Sequence, residues 1–124
     1  MSNKIAIVVF SDSEHPASHG RFIHALIAAQ EMQMAGRDFT FLFEGMGVTW
    51  LKHLHLQDHP VTQHYGSIFD EIRDHVLGAC NFCTTRRFEV RESADALKVP
   101  MLGAEGEHFS IGSLLDDGYQ IITY

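Results

Sequence analysis

The sequence has little of several features that mark specialised classes of protein. It contains only two cysteines in 124 residues, which argues against a fold held together by disulfides. The longest apolar run near the start, residues 5–10, is far shorter than a membrane span and lacks the small-residue cleavage site of a secretory signal. We therefore expect a cytoplasmic protein that does not associate with a membrane.

Positive charge is also scarce. Nine Lys and Arg residues stand against 16 Asp and Glu residues, which gives a formal net charge of -7. Such a field repels phosphate backbones, and the only basic cluster is the short pair Arg86-Arg87. We therefore predict no nucleic-acid partner. Histidine, by contrast, is abundant, with nine residues whose charge responds to pH near neutrality.

Strand and helix patterns alternate along the chain. Its length suits one domain, which we place over residues 1–124. We predict strands over residues 4–10, 39–43, 75–79, 99–102 and 119–124. We predict helices over residues 19–35, 48–56, 67–74, 84–97 and 110–117, and a surface loop over 58–66. This alternation indicates an α/β fold of three layers, α/β/α, with a mainly parallel five-stranded sheet.

The most informative motif is the cysteine pair Cys80 and Cys83. Cys80 falls where the third strand is predicted to give way to a helix. Free amides at a helix start stabilise a thiolate, and Arg86 and Arg87 lie about two turns further on, within possible reach. A thiolate there would be an accessible nucleophile for sulfur chemistry. The alternative is that both thiols are buried and act as small apolar side chains.

Metal binding is the less favoured interpretation of the same residues. A single CxxC pair cannot complete a cysteine-only zinc site, so structural zinc would need histidine partners. His53, His55 and His59 have a spacing that suits zinc, copper or nickel if the segment folds on itself. On a regular helix, however, His55 and His59 share a face and His53 does not. A solvated loop is the simpler explanation, and we expect no metal and no cofactor.

Polar residues follow the first and fourth predicted strands. Ser11 and Asp12 come after the first strand, and Glu105 and His108 come after the fourth. Because the carboxyl ends of parallel strands share one edge, these side chains are candidates for lining a cleft beside Cys80. Glu105 and His108 would be the acid and base there. Ordinary connecting loops are an equally good explanation.

Three segments resemble the DsrE/DsrF-like family. They are KIAIVVF at residues 4–10, the run from Cys80 to Arg87 (CNFCTTRR), and GSLLDDGYQIIT at residues 112–123. The resemblance covers nearly the whole chain and implies a five-stranded parallel sheet with helices on both sides. It also implies a persulfide carried on Cys80, exchange with a donor or acceptor protein thiol, and assembly as a trimer or hexamer.

The leading hypothesis is therefore a sulfur carrier or sulfurtransferase that accepts a persulfide on Cys80. Two alternatives stay open at this point. One is a redox pair in which Cys80 and Cys83 cycle between dithiol and disulfide. The other is a non-catalytic oligomeric module that binds a small ligand or regulates another protein.

Overall fold

The computed structural model of the chain describes residues 3–124. The predicted domain over 1–124 thus includes residues 1 and 2, which lie outside the described residues. The strands are β1 Lys4–Val9, β2 Phe39–Phe43, β3 Val76–Cys80, β4 Met101–Leu102 and β5 Tyr119–Thr123. The α-helices are α1 Pro16–Met34, α2 Trp50–Leu56, α3 Pro60–Glu71, α4 Arg91–Ala96 and α5 Gly112–Asp116. No helix within 3–124 combines the length and apolar character needed to cross a bilayer.

All five strands form one parallel sheet in the order β4-β3-β2-β1-β5. One face carries a core built with α1 to α4, to which Leu26 and Phe69 contribute. The other face packs against α5, where Leu114 lies with Val8 and Leu42. These layers confirm the predicted α/β/α fold and its parallel five-stranded sheet. Because every strand runs the same way, the loops after β1, β2, β3 and β4 all emerge at one edge, which we call the carboxyl edge.

The central strands β1 and β2 follow directly from their sequences. Both are runs of β-branched and aromatic residues, and their side chains are buried on both faces. Trp50, at the start of α2, is fully buried, stacks on Phe22 with ring centroids 4.3 Å apart, and donates a 2.9 Å hydrogen bond to the carbonyl of Ser11. The loop after β1 is therefore held against the core on the face of the sheet that α1 to α4 cover.

Helix α3 corrects the expectation of a surface loop over residues 58–66. It begins at Pro60, which suits a first helical position, and His59 precedes it as the N-cap. The Nδ1 atom of His59 accepts a hydrogen bond from the amide of Val61 at 3.1 Å. Histidine is not among the usual capping residues. The helix start was missed for that reason, and Ser67 lies within the helix instead of capping it.

The helix predicted over residues 84–97 is also wrong, because the structure divides it. A helical segment over 81–87 ends in a π-helix at Cys83–Arg87. The chain then breaks at Glu89, whose φ of +52° is left-handed, and α4 begins at Arg91. No glycine or proline marks this break in the sequence. Short π-helices are rare and occur frequently at functional sites.

Glycine at position 78 sets the path of β3 into Cys80. The pairing of β3 with β2 shifts register here, and Gly78 has a φ of +153°. A Cβ atom at this position would lie 2.3 Å from the carbonyl oxygen of Pro100. The same carbonyl accepts a 2.9 Å hydrogen bond from the amide of Ala79. Only glycine lets the chain before β4 approach so closely, and this approach fixes where β3 ends.

Candidate functional site

Four side chains from three strand ends meet at the carboxyl edge. Cys80 is the last residue of β3, Cys83 begins the π-helix that follows, Glu44 comes directly after β2, and His108 lies in the loop after β4. The Nδ1 atom of His108 is 3.6 Å from Sγ of Cys80 and 3.8 Å from Sγ of Cys83. Sγ of Cys83 is 3.9 Å from Oε1 of Glu44. The four donor atoms all lie within 4.8 Å of one another. We call this set the Glu-Cys-Cys-His cluster.

The loop that carries His108 is tied to the chain segment after Cys80. The amide of Phe82 donates a 3.0 Å hydrogen bond to the carbonyl of Glu107, and Asn81 Nδ2 donates to the carbonyl of Gly103 at 3.3 Å. The ring of Phe82 lies against the His108 imidazole, with centroids 4.4 Å apart. His108 is thus held over the two sulfur atoms by residues adjacent to Cys80.

Glu44 is an unusual residue for its position, because it is a buried acid with half of its carboxyl group unpaired. Its Oε1 accepts a hydrogen bond from the amide of Gly45 at 3.2 Å and faces the Cys83 thiol. Its Oε2 is buried without a hydrogen-bond partner. The residue is only 7% exposed. Burying an acceptor without a partner costs free energy, so this oxygen requires an explanation.

Both thiols are sealed from solvent, which agrees with the alternative of buried thiols and not with the accessible Cys80 that the sulfur-chemistry hypothesis assumed. Cys80 is 0% exposed and Cys83 is 1% exposed, whereas His108 beside them reaches the surface. Burial, together with the neighbouring Cys80 and Glu44, raises the pKa of Cys83 to about 12. Without a cation nearby, Cys83 therefore stays a neutral thiol at physiological pH, and it donates its proton towards Glu44.

Unpaired buried oxygen atoms are concentrated at this same edge. Among the residues described, the buried side-chain atoms without a partner are Ser11 Oγ, Asp12 Oδ1, Ser13 Oγ, Glu44 Oε2 and Thr84 Oγ1. Each belongs to a segment that follows β1, β2 or β3. Native proteins leave few buried polar groups unpaired, and those few are often functional. The carboxyl edge is thus where the fold leaves hydrogen-bonding capacity unused.

The two arginines lie outside the cluster. Arg86 is exposed, and its guanidinium lies beside Gly106 in the loop after β4. Arg87 is exposed as well and packs on the ring of Phe88, with its guanidinium carbon 4.9 Å from the ring centroid. Glu105 is exposed on the same loop as His108. Of the two residues predicted after the fourth strand, His108 is the one that the structure brings to the sulfur atoms.

Asp12 pairs with a residue outside the cluster, and the hydroxyl of Ser11 has no partner. Oδ2 of Asp12 is 2.7 Å from Nδ1 of His15. Burial raises the pKa of the Asp12 carboxyl, but hydrogen bonds from His15 and Ser18 outweigh that effect and bring it below its ordinary value. Ser11 lines a groove of about 470 Å³ at the ends of β1 and β5, together with Phe10, Arg21, Met46 and others. These residues share the carboxyl edge with the cysteines, but their recorded contacts are elsewhere.

The histidines of the α2 region do not form the group of three that the less favoured metal interpretation required. Helix α2 ends at Leu56 because Gln57 adopts a left-handed φ of +54°. His55 turns to Ser93 on α4, 3.3 Å away, whereas the rings of His53 and His59 lie 5.0 Å apart. The regular helix on which His55 and His59 would share a face is therefore not formed. Within residues 3–124, the only group of three or more candidate ligands close enough to hold a metal is the Glu-Cys-Cys-His cluster.

Glu44 is the member of the cluster that sequence reasoning missed. One signal was available, because Glu44 follows the second strand directly, just as Ser11 follows the first. The rule that selected Ser11, Asp12, Glu105 and His108 as residues of the carboxyl edge therefore applied to Glu44 as well.

Comparison with known proteins identifies a relative, but the description of that relative gives no activity. A protein of Methanocaldococcus jannaschii, described only as uncharacterized, is 28% identical over 120 residues, which span 96% of this chain and 93% of the relative. No family model matches the chain, and no solved structure matches it significantly. The function must therefore be argued from the chemistry of the site.

Proposed function

We propose that this protein is a thiol-dependent sulfur carrier that accepts a sulfane sulfur on Cys80. The observation that carries the proposal is the contact between a cysteine and a histidine at the carboxyl edge, where Nδ1 of His108 lies 3.6 Å from Sγ of Cys80. A thiol paired with an imidazole is a standard arrangement for generating a nucleophilic thiolate. The resemblance to DsrE/DsrF-like proteins supports the same residue, and the proposed partner is a protein thiol.

The proposed reaction is an exchange that needs no external oxidant. Nδ1 of His108 takes the proton of the Cys80 thiol, and the thiolate attacks the outer sulfur of a persulfide on a donor protein. A new S–S bond forms on Cys80 while the donor's S–S bond breaks. The donor leaves as a thiolate and regains the proton from His108. Cys80 then holds the sulfur as a persulfide until an acceptor thiol attacks it.

Access to Cys80 requires the loop after β4 to move. The sulfur atom is buried, and His108 is the cluster member that reaches the surface. Two hydrogen bonds, from Phe82 and Asn81, join this loop to the segment after Cys80, and most of the loop residues from 103 to 108 are exposed. Segments with few buried contacts open locally at low free-energy cost. In this proposal a donor protein displaces the His108 loop and reaches the sulfur from that side.

The test is sulfur uptake measured by mass spectrometry. Metal-free protein is incubated with a cysteine desulfurase and cysteine as the persulfide donor, and intact mass is followed by peptide mapping. We expect the mass of one sulfur atom to be added, located on Cys80 and absent in Cys80→Ser. His108→Ala should slow uptake, whereas His64→Ala, which changes an exposed histidine on α3, should not. Absence of an adduct on the wild-type protein, or an equal adduct on Cys80→Ser, contradicts the proposal.

A second candidate function rests on the proximity of the two sulfur atoms. Sγ of Cys80 and Sγ of Cys83 lie within 4.8 Å of each other. As a redox pair they would close a disulfide while two electrons and two protons pass to a partner disulfide. Thiol counting after equilibration in glutathione buffers tests this. A pair that keeps two free thiols across the cytoplasmic range of potentials is not a redox pair.

Two remaining expectations stay predictions, one from the lack of a signal sequence and the other from the family resemblance. These are a cytoplasmic location and assembly as a trimer or hexamer. Size-exclusion chromatography with light scattering measures the mass of the particle directly. A monomer at micromolar concentration contradicts the assembly prediction and leaves the proposed chemistry at Cys80 unaffected.

A further inference from the structure

We propose that the Glu-Cys-Cys-His cluster is a binding site for a single transition-metal ion, with zinc as the best-fitting ion. The ligands are the thiolates of Cys80 and Cys83, a carboxylate oxygen of Glu44 and Nδ1 of His108. This site goes beyond sulfur transfer and stands independently of it. Two sulfur atoms, one nitrogen and one oxygen are a donor set that zinc accepts in tetrahedral geometry.

The spacing of the donor atoms fits such an ion. Around a tetrahedral zinc ion with bonds of about 2.0–2.3 Å, neighbouring ligand atoms lie roughly 3.3–3.8 Å apart. The measured separations within the cluster are 3.6 Å and 3.8 Å from the histidine nitrogen to the two sulfurs, and 3.9 Å from Cys83 to Glu44. All the remaining pairs lie within 4.8 Å. An ion at the centre would therefore need only small movements of side chains.

The electrostatics of the cluster point to a cation. Glu44, Cys80 and Cys83 are three groups able to carry negative charge, and all are buried against one another. Ionising such buried groups is costly unless a counter-charge joins them. A divalent ion would convert both thiols to thiolates and release their protons to solvent. It would also provide a counter-charge for the Glu44 carboxyl group, one of whose oxygens is buried without a partner.

The surroundings also suit a metal centre that is held and yet reachable. Three ligands are sealed in the core, and the fourth, His108, is exposed. Contact with the Phe82 ring, tilted by 41° to it, orients its imidazole, and the backbone hydrogen bond between Phe82 and Glu107 fixes its loop. Because Nδ1 faces the sulfurs, Nε2 is left on the other side of the ring. An ion would enter by displacing His108, the one exposed member of the four.

The test uses cobalt as a spectroscopic substitute for zinc. Untagged protein is reduced, stripped with a chelator and titrated anaerobically with Co²⁺ alone. We expect one ion per chain, intense visible bands of tetrahedral cobalt and a near-ultraviolet thiolate-to-cobalt charge-transfer band. Zinc added afterwards should bleach these bands. About two protons should be released per ion bound.

Variants separate this site from weak binding to the other histidines. Cys80→Ser and Cys83→Ser should each lower the charge-transfer band by about half, because each removes one of two thiolates. Glu44→Gln and His108→Ala should keep the band while weakening affinity by at least about tenfold. His55→Ala is the matched control and should change nothing. His108 is exposed, so its replacement also tests the site without disturbing the core.

Several outcomes overturn the proposal. One is cobalt bound without a thiolate charge-transfer band, and another is a band that survives unchanged in both cysteine variants. A third is a cobalt affinity that falls as much in His55→Ala as in His108→Ala. Metal-free Glu44→Gln keeps both thiols and should still take up sulfur, although it binds cobalt more weakly. The two proposals can therefore fail separately. Retained uptake with no cobalt binding by the wild-type protein leaves the sulfur carrier standing, and cobalt binding without uptake leaves the metal site standing.

Discussion

The protonation of His59 is expected to reduce the stability of the folded protein under mildly acidic conditions. His59 is the N-cap of α3, and its two ring nitrogens have different roles. Nδ1 accepts a hydrogen bond from the amide of Val61 at 3.1 Å, and Nε2 donates one to the carbonyl of Ser13 at 3.2 Å. This pattern requires the neutral ring. A proton added to Nδ1 would face the Val61 amide proton and remove the cap.

The groups around His59 also disfavour the protonated form of its ring. His19 on α1 and His53 on α2 face its ring, with centroids 4.6 Å and 5.0 Å away. Burial, followed by the charges of these two histidines, lowers the pKa of His59 from its ordinary value of 6.5. The Ser13 carbonyl and the Asp58 carboxylate oppose the shift but do not cancel it. The cluster therefore disfavours charge on this ring.

The sign and size of the effect follow from linkage. Below pH 6.5 the unfolded chain takes up this proton and the folded chain resists it. The contribution of His59 to the free energy of unfolding is thus complete above that pH, and it is lost as the pH falls towards the folded-state pKa. The loss is at most about 1.4 kcal/mol per pH unit for one proton. This figure already includes the loss of the cap on protonation, so no separate cap contribution is added.

Urea unfolding from about pH 8 to about pH 5, followed by fluorescence of the single tryptophan, measures this loss. Asparagine is a good N-cap that does not titrate, so His59→Asn should flatten the pH dependence between pH 7 and pH 5. His64→Asn, on an exposed position of α3, should retain the slope of the wild-type protein. If the wild-type protein and His59→Asn lose stability in parallel, the reasoning about this ring is refuted.

Two further predictions test the packing around the candidate site. Gly78→Ala should lower the free energy of unfolding by more than about 2 kcal/mol, because its Cβ would lie 2.3 Å from the carbonyl of Pro100. Gly20→Ala, with no atom within 4 Å of the added methyl group, should instead raise it by up to about 1 kcal/mol. A neutral Gly78→Ala in urea titrations contradicts the account of how β3 reaches Cys80. In native metal-free protein, Cys80 and Cys83 should react with a disulfide reagent more than about tenfold more slowly than in urea, because both are buried. Equal rates in the two conditions mean that the thiols are open.

The sheet could be predicted from the sequence because each strand is recognisable from its own short run of strand-forming residues. Residues 39–43 are all aromatic, aliphatic or β-branched, and the predicted β2 agrees with the structure at both ends. The end of α1 was also predictable, because Gly36 takes the left-handed φ of +69° that ends many helices. Its start was not predictable, because Pro16 begins the helix before the predicted position 19, and His15 ahead of it makes no side-chain cap.

The cluster was only partly predictable for a different reason. Parallel topology places the residues after each strand at one edge, and this rule identified Cys80 and His108 separately. The direction of each side chain depends on loop conformation, which the sequence does not reveal. Arg86 was expected near the thiols, yet the π-helix after Cys80 leaves it beside Gly106. Glu44 was passed over because an isolated acid after a strand has no distinguishing motif.

The expectation that the cysteines bind no metal rested on the number of candidate ligands near them in the sequence. The fold brings two further candidate ligands next to them. A lone CxxC pair offers two donors, and the nearest histidine along the chain to Cys83 is His75, which is bound instead to the carbonyl of Phe39 at 3.0 Å. The other two donors come from positions 44 and 108, far away in sequence and adjacent only through the order of β2, β3 and β4.

The same sulfur atoms serve both proposals, so a bound ion and a bound persulfide exclude each other. A thiolate coordinated to zinc has given one of its lone pairs to the metal and is a weaker nucleophile than a free thiolate. His108, as a ligand through Nδ1, can no longer accept the Cys80 proton at that atom. Zinc would therefore hold Cys80 in an unreactive state, and release of His108 from the ion is the step that would free both the sulfur and its base.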